Sequence, residues 1–323
     1  MTPSVPLFPP IPLAEWADTK DTLHRYAQIV GKIRLDQSPG RNHWWNVPFH
    51  LTGRGITTRP MGVERIFAID FDLVDHRLEV CTISGDRVSF ALPGLSVATF
   101  YDRLLAALAS LGIDVSIRPV PFDLADTTPF AEDTAHASYD PFWVTRYWQV
   151  LSQVAMVLEQ FAGRTCAKTS PVHHFWHTFD LAVTRFSDRR VTHPPDVDPV
   201  TREAYSHEVI SAGFWFGDNN VPEPAFYAYA APEPPGLTEE PLRPKEASWV
   251  ESRGAHLALL RYEDARTTED ARATVLDFYE SVYQAAATRA GWDLDRLRWP
   301  QDATTAVQEG APREGVPPEA REE

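Results

Sequence analysis

The sequence predicts an α+β fold made of two diverged repeats, each a helix, an antiparallel sheet and a second helix, related by a pseudo-two-fold axis. Three observations support this prediction. Amphipathic helix patterns alternate with groups of strands that have one apolar face. The same order of elements occurs twice along the 323 residues, and residues at matching points recur at a nearly constant spacing. We therefore expect the repeats to share a sheet or to pack face to face.

The first repeat spans residues 13–127 and follows a proline-rich lead-in at residues 1–12. It opens with an expected helix over about residues 14–35, which the Ser-Pro-Gly sequence at 38–40 ends. Apolar and polar residues then alternate in four segments, which predicts an antiparallel meander with one buried face. These segments are residues 47–51, 67–71, 78–82 and 88–92.

The closing helix of the first repeat lies at about residues 96–111. Its apolar residues recur at intervals of three and four, as on one face of an amphipathic helix. Ser96 is suited to cap the first turn, and Gly112 is suited to end the last one. A short strand over residues 115–120 is expected to follow.

The second repeat spans residues 138–298. Its first helix, at about 141–162, begins where Asp140 offers an N-cap and Pro141 a first helical residue. A last helix is expected at about 268–290, and the strands between the two helices are predicted near residues 179–183, 207–216, 225–230 and 256–262. Residues 299–323 are acidic and cannot bury enough apolar surface to fold, which predicts a disordered tail.

Residue matches between the halves support the duplication. Five residues of the first half recur 132 positions later, the pairs being Trp16 and Trp148, Gln28 and Gln160, Gly31 and Gly163, Ser38 and Ser170, and Pro39 and Pro171. A deletion of one residue then aligns His43, Trp45 and Arg54 with His174, Trp176 and Arg185. The alternative is two unrelated helix–strand segments that share the same turn chemistry.

Composition restricts the class of partner. The net charge is −15, with 45 acidic and 30 basic residues and no basic run, which argues against nucleic acid and against anionic membrane surfaces. No apolar run approaches the roughly 20 residues of a membrane-spanning helix, and the N-terminus does not resemble a signal peptide. The two cysteines form no zinc-binding pattern. We therefore expect a bacterial cytoplasmic protein whose partner is a small molecule.

The segment 170–180 has the richest chemistry. His173 and Asp180 could serve as acid–base groups, and Trp176 could contact a substrate. A metal site is an alternative because neutral imidazole is a common ligand. In a strand, however, His173 and His177 would lie roughly 13 Å apart, so a metal site would also need His136 or His207. Structural, hydrogen-bonded histidines are the third interpretation.

Further candidates lie around the second repeat. His136 and Tyr205 precede a helix and a strand, respectively, where binding groups often occur. His207 and Glu208 are acid–base candidates, although neighbours on a strand point to opposite faces. Arg185 is a candidate anion clamp, and a structural salt bridge is its alternative role. A glycine-rich phosphate loop, an HExxH motif and a GxSxG motif do not occur, which excludes several large enzyme classes.

Longer motifs resemble a bacterial family defined only as domain of unknown function 5996. The resemblance covers nearly the whole chain except the tail, and the motifs that carry it are QIVGK at 28–32, SPVH at 170–173, FDLAVTRF at 179–186, EAYSHEV at 203–209 and EPAFY at 223–227. The resemblance implies no activity, cofactor or catalytic residue. His174 and His177 depart from the family pattern, and the residues that match it are His43, Trp45, His136, Asp140, His173, Trp176, Asp180, Arg185, Tyr205, His207 and Glu208.

Three functional hypotheses follow. The first is an enzyme that acts on a small polar or anionic molecule, with acid–base groups at His173, His207, Glu208 and Asp180 and binding groups at Arg185, Trp176, His43, Trp45, His136 and Tyr205. The second is a metal-dependent enzyme with ligands drawn from His136, His173 and His207. The third is a non-catalytic binding protein with an aromatic pocket, which the ten tryptophans favour. The cofactor, the substrate and the oligomeric state stay open.

Overall fold

The computed structural model describes residues 6–218, 221–252 and 254–299. The helices are α1 Ala17–Gln37, α2 Val97–Ser110, α3 Pro141–Ala162, α4 Pro199–Ala204, α5 Tyr262–Arg266, α6 Ala271–Arg289 and α7 Leu294–Leu297. The strands are β1 His50–Leu51, β2 Gly55–Thr57, β3 Phe67–Asp72, β4 Arg77–Thr82, β5 Arg87–Ala91, β6 His173–Phe175, β7 Asp180–Arg190, β8 His207–Trp215, β9 Ala225–Ala231, β10 Ser248–Ser252 and β11 Ala255–Arg261. Short 3₁₀ turns lie at Leu13–Glu15, Asn42–Trp44 and Leu237–Glu239.

The strands form two antiparallel sheets whose edges meet. The first sheet has the order β1-β2-β3-β4-β5, and the second has the order β10-β11-β9-β8-β7-β6. Between the edge strands β1 and β6, Phe49 and His174 exchange two backbone hydrogen bonds of 2.8 and 3.1 Å. We call this junction the seam. The two sheets therefore continue into each other across one pair of residues.

The long helices pack on one face of both sheets, which we call the helical face. In the first sheet, Tyr26 of α1 stacks on Phe100 of α2, and Phe100 stacks on Phe71 of β3. In the second sheet, Tyr279 of α6 donates a hydrogen bond of 2.9 Å to the carbonyl of Gly213 in β8. Buried aromatic and aliphatic side chains fill the space between the layers, and this burial is the main stabilising contribution.

The opposite face carries polar and aromatic side chains, and we call it the open face. Side chains alternate along a strand, so those next to the buried Phe71 and Phe214 point to this side. His50 of β1 and His173 of β6 meet there with ring centroids 5.1 Å apart. The open faces of the two sheets therefore meet at a pair of histidines, which we call the seam histidines.

The predicted α+β class is confirmed, and so are several local features. Ser96 accepts a hydrogen bond from the backbone N–H of Thr99 at the start of α2. Asp140 caps α3 in the same way, with Pro141 as its first residue. Both halves show the order helix, strands, helix, but the pseudo-two-fold duplication and the domain boundaries stay predictions.

Other local predictions differ from the structure. Residues 115–120 form no strand. The sequence pattern does not predict the short strands β2, β6 and β10, because three to five residues give little periodicity. Of the predicted disordered tail, residues 300–323 lie outside the described part of the chain, as do residues 1–5 of the lead-in. Among the described helices, none combines the length and the apolar character that crossing a membrane requires.

Candidate functional site

A strained turn positions two of the predicted site residues. In the 3₁₀ turn before β1, His43 and Trp44 both have positive φ angles, of 56° and 57°. Such a conformation costs a non-glycine residue about 1–3 kcal/mol and persists where its surroundings enforce it. Here α4 enforces it, because the N–H of His43 donates to Glu203 at 2.9 Å and the indole N–H of Trp44 donates to the carbonyl of Val200 at 3.0 Å.

The turn places Trp45 beside the seam histidines. The ring of Trp45 lies 6.2 Å from that of His173 in an edge-to-face arrangement. His173 is only 1% exposed, and its Nε2 atom has no hydrogen-bond partner among the described protein groups. A buried polar atom without a partner costs about 1–3 kcal/mol, so this nitrogen points to a missing ligand or water.

Three arginines, Arg34, Arg41 and Arg59, lie close enough to the seam histidines for their charges to lower the pKa of both, and we call them the seam arginines. Arg34 comes from the last turn of α1, is 5% exposed and has an Nε atom without a partner. Burial, and then the nearby charges of Arg59 and Arg41, lower the pKa of Arg34 to about 10. Within residues 6–218, 221–252 and 254–299, none of the three forms an ion pair with a carboxylate.

The local charge keeps the seam histidines neutral. Burial is the largest cause that lowers the pKa of His50 to about 3, followed by His173 and the seam arginines. Burial and the same arginines lower the pKa of His173 to about 3. The seam thus combines fixed positive charge with neutral imidazoles, an arrangement that complements an anion and disfavours a metal cation.

A lysine and two further histidines continue the site on the other side of Trp45. The ammonium of Lys168 donates to Nε2 of His43 at 2.8 Å, and it lies 5.2 Å from the ring centroid of Trp45 and 5.0 Å from that of Phe186. Nδ1 of His43 lies 3.2 Å from the carbonyl of Ala204, which can only accept. His43 is therefore assigned as the neutral tautomer with its proton on Nδ1.

Burial and the charge of Lys168 lower the pKa of His43. The pKa of Lys168 is also lowered by burial, against an opposing effect of Glu203. His207 lies beside this pair, with its ring 5.5 Å from that of His43, and burial followed by the charge of Lys168 lowers its pKa. The structure therefore brings together four predicted residues, His43, Trp45, His173 and His207, with His43 and Trp45 between the other two.

Other predicted residues lie outside this cluster. His136 pairs with Asp133 at 2.8 Å, and Asp133 also pairs with Arg25 at 3.3 Å. Glu208 accepts a hydrogen bond of 2.8 Å from the indole of Trp292. These contacts support a structural role for both predicted residues.

Arg185 occupies the helical face. Its guanidinium lies 3.6 Å from the ring centroid of Phe161 and 4.1 Å from that of Tyr283, and it pairs with Glu280 at 3.5 Å. This geometry corresponds to the salt bridge that was the alternative to an anion clamp. A buried arginine between two rings gains cation–π contacts as well as its charge partner.

Three predicted residues make well-defined contacts elsewhere. Asp180 accepts hydrogen bonds from Tyr227 and Thr178, and the hydroxyl of Tyr205 lies 3.0 Å from that of Tyr229. Asp180 with Tyr227, and Tyr205 with Tyr229, lie on the open face. Trp176 instead packs directly against the backbone of Gly31 in α1, where any side chain would overlap its indole.

The metal hypothesis finds no site in the described residues, where no three His, Cys, Asp or Glu side chains are grouped to hold an ion. Its candidates His136, His173 and His207 lie with different neighbours, namely Asp133, His50 and His43.

A large cleft lies apart from the seam. It has a volume of about 1170 Å³ between α3, α6 and α7. Its arginines have acidic partners, because Arg243 pairs with Asp277 at 2.9 Å and Arg164 lies 3.8 Å from Glu280. Arginines that line this cleft therefore have acidic partners, whereas the seam arginines have none among the described residues.

Sequence reasoning missed the seam arginines, His50 and Lys168. One signal was present: Arg34 lies four residues after the buried Val30 and directly follows the buried Ile33, on the apolar side of α1. A charged residue in that position has to find a partner at depth. The other residues come from separate loops and strands, and nothing local indicates that they meet.

The chain matches the model of a family of unknown function, DUF5996, over residues 8–299 and belongs to that family. The match includes every residue of the candidate site. No curated protein and no solved structure matches the chain.

Proposed function

We propose that this protein binds a small organic anion, with a carboxylate or phosphate group, at the seam between its two sheets. The observation that carries this proposal is that Arg34, Arg41 and Arg59, none of which has a carboxylate partner in the described chain, all act with their charge on the same two neutral histidines. Arginine is suited to this role because its planar guanidinium binds carboxylate and phosphate through two parallel hydrogen bonds.

The charge of the whole protein strengthens this argument. Acidic residues outnumber basic ones by 45 to 30, so the average surface repels anions. Most other buried or cleft arginines have acidic partners, as Arg25 has in Asp133 and Arg185 has in Glu280. The seam arginines lack acidic partners although the chain is rich in acidic residues. An anionic ligand could therefore supply the negative charge that balances them.

The same balance supports the remaining expectations about partners. The net charge of −15 favours a small molecule over nucleic acid or an anionic membrane surface. We also infer a bacterial cytoplasmic location, where free cysteines such as Cys81 and Cys166 stay reduced.

Calorimetric titration with sulfate, phosphate and small carboxylates tests the proposal. The first variant is Arg59→Gln, because Arg59 is exposed and its loss leaves the core intact. The matched control is Arg87→Gln, since Arg87 is also exposed but pairs with Glu79 on the far side of the first sheet. We expect wild type and control to bind and Arg59→Gln to bind at least about tenfold more weakly, or about 1.4 kcal/mol. Equal affinity in all three proteins would contradict the proposal.

A second candidate function is acid–base catalysis on the bound anion. The observation that favours it is the line of histidines with lowered pKa values, since only a neutral imidazole can accept a proton. Anions that bind in calorimetry are incubated with the protein in D₂O, and loss of their C–H signals is followed by NMR. Exchange that disappears in His173→Gln while binding persists supports catalysis; exchange that is the same in the variant argues against it.

A further inference from the structure

We propose that the turn Asn42–Trp44 and the following Trp45 form a gate over the seam, and that Glu203 of α4 is the positioning residue that holds the gate closed. This inference rests on the proposed anion site and describes how a ligand enters it. Its basis is a strained turn that α4 keeps in place next to a buried histidine nitrogen without a partner.

The inner part of the seam is closed to solvent. His50, His173 and Arg34 are buried, with 6%, 1% and 5% of their surface exposed. Arg41 and Arg59, in contrast, are exposed. A small anion can therefore reach the two outer arginines from solvent, whereas the buried groups become accessible only when a neighbouring element moves. Entry to the proposed site thus requires a moving part.

Trp45 is the part of the cover that can move without opening the sheets. Three rings lie against His173, with centroid distances of 5.1 Å for His50, 5.9 Å for Phe175 and 6.2 Å for Trp45. His50 and Phe175 belong to β1 and β6, the strands that join at the seam. Trp45 lies in a loop, outside the helices and strands. A displacement of this loop would uncover His173 and leave the seam intact.

Opposing forces act on the turn. The positive φ angles of His43 and Trp44 are strained, and this strain favours release. Two hydrogen bonds to α4 oppose it, from the N–H of His43 to Glu203 at 2.9 Å and from the indole of Trp44 to the carbonyl of Val200 at 3.0 Å. All six residues of α4 are at least partly exposed, so little apolar burial adds to these bonds. Segments of this kind open at a low cost in free energy.

The same loop carries one of the seam arginines. Arg41 directly precedes the turn, and its backbone N–H donates to the side chain of the buried Asn46 at 3.2 Å, which joins the two ends of the loop. An anion bound at the seam attracts Arg41 and therefore draws the loop towards the site. Opening admits the ligand, and the bound ligand favours closure.

Modification of histidine by diethyl pyrocarbonate measures the opening. The reagent acylates neutral imidazole, and tandem mass spectrometry of the full-length protein maps the product to each histidine. His173 is neutral at pH 7 because its pKa is lowered to about 3, first by burial. In wild type we expect it to react at least about tenfold more slowly than the partly exposed His256. His174, which is 0% exposed on the helical face of the same strand, is the internal control.

Variants of the two hydrogen bonds test the gate. Glu203→Ala removes the acceptor for the N–H of His43 and should raise the rate at His173 about tenfold, with His174 unchanged. Glu203→Gln is the matched control, because it removes the charge but keeps an acceptor oxygen, and its rate should lie between the other two. Trp44→Phe removes the second bond and should act in the same direction as Glu203→Ala. Urea unfolding checks that all three variants are folded.

Three results would overturn the gate. One is an equal rate at His173 in wild type and Glu203→Ala. Another is an equal rate in the two Glu203 variants, because the charge alone would then explain the effect. The third is a parallel rise at His174, which would mean that β6 itself loosens.

Sulfate separates this inference from the proposed function. At about 100 times its dissociation constant, sulfate should slow the modification of His173 in wild type, because the bound anion covers the ring and favours closure. A rate that rises in Glu203→Ala without protection by sulfate would show that the turn opens but that the anion site fails. Protection by sulfate without an effect of Glu203→Ala would leave the anion site and remove the gate.

Discussion

Replacing Arg34 by methionine should stabilise the ligand-free protein and remove its affinity for anions. The guanidinium of Arg34 is 5% exposed, and its pKa is lowered from 12.5 to about 10, first by burial and then by two neighbouring arginines. A lowering of that size corresponds to about 3 kcal/mol of unfavourable free energy for the charged form in the folded state. Methionine has a similar shape without the charge, and such replacements of buried ions often stabilise by about 1–4 kcal/mol.

The sign of this effect follows from linkage. Because the pKa of Arg34 is lower in the folded chain, the cost is fully present at neutral pH, where the group is charged in both states, and would disappear only at strongly alkaline pH. We allow for relaxation and for the methionine packing imperfectly, and expect a net gain of about 1–3 kcal/mol in the free energy of unfolding.

Urea unfolding with and without sulfate measures both halves of this prediction. In anion-free buffer the midpoint of Arg34→Met should exceed that of wild type. Sulfate at about 100 times its dissociation constant should then stabilise wild type by about 2.7 kcal/mol and leave the variant nearly unchanged. Arg87→Met is the control, because an exposed ion pair contributes about 0–1 kcal/mol. If Arg34→Met is less stable than wild type without anions, the guanidinium is compensated and the reasoning fails.

Three further predictions concern the seam and the packing around it. Sulfate affinity should rise as the pH falls from about 6.5 towards about 3, because a bound anion offsets the arginines that, after burial, lower the pKa of both seam histidines from 6.5 to about 3, and so favours their protonation. Calorimetry at each pH measures this, and a flat affinity argues against it. Gly31→Ala should destabilise by about 1–3 kcal/mol in urea because the new methyl group meets Trp176, whereas Gly40→Ala, with open space around it, should change little. Glu280→Gln should cost about 3 kcal/mol by leaving Arg185 without its carboxylate, and unchanged sulfate binding would confirm that this pair is separate from the site.

The fold could be predicted where local chemistry and packing agree. Helix α3 is the clearest case, since Asp140 and Pro141 fix its start and its apolar stripe fixes the buried side. The edge strands β1 and β6, which form the seam, have only two and three residues. The alternation over residues 47–51 predicts a strand at β1, whereas the three residues of β6 are too few for a periodic pattern. One of the two strands that create the site therefore has no counterpart in the sequence prediction.

The candidate site was predicted in part, and the reason is physical. His43, Trp45, His173 and His207 attract attention as polar or aromatic residues near strand ends, and the structure brings them together. The sequence does not predict the seam arginines as site residues, because exposed arginines such as Arg59 are common. Only the three-dimensional arrangement shows which arginines lack an acidic partner. An ion pair such as that of Arg185 and Glu280 joins residues far apart in the sequence, so a sequence pattern cannot predict it.

Two separate costs converge on the same few residues. The turn at His43 and Trp44 maintains a strained backbone, and Arg34 maintains a buried charge with an unpartnered nitrogen. Either feature alone could be a tolerated defect of packing. The turn holds Trp45 against His173, whose Nε2 atom has no partner and whose pKa the charge of Arg34 lowers. Trp45 also contacts Lys168, whose ammonium donates to the neutral His43. Folded proteins are only marginally stable, so several unfavourable features are retained in one place when a ligand or a reaction offsets them. The arginine and lysine groups here are suited to bind negative charge, and the histidines are suited to exchange a proton.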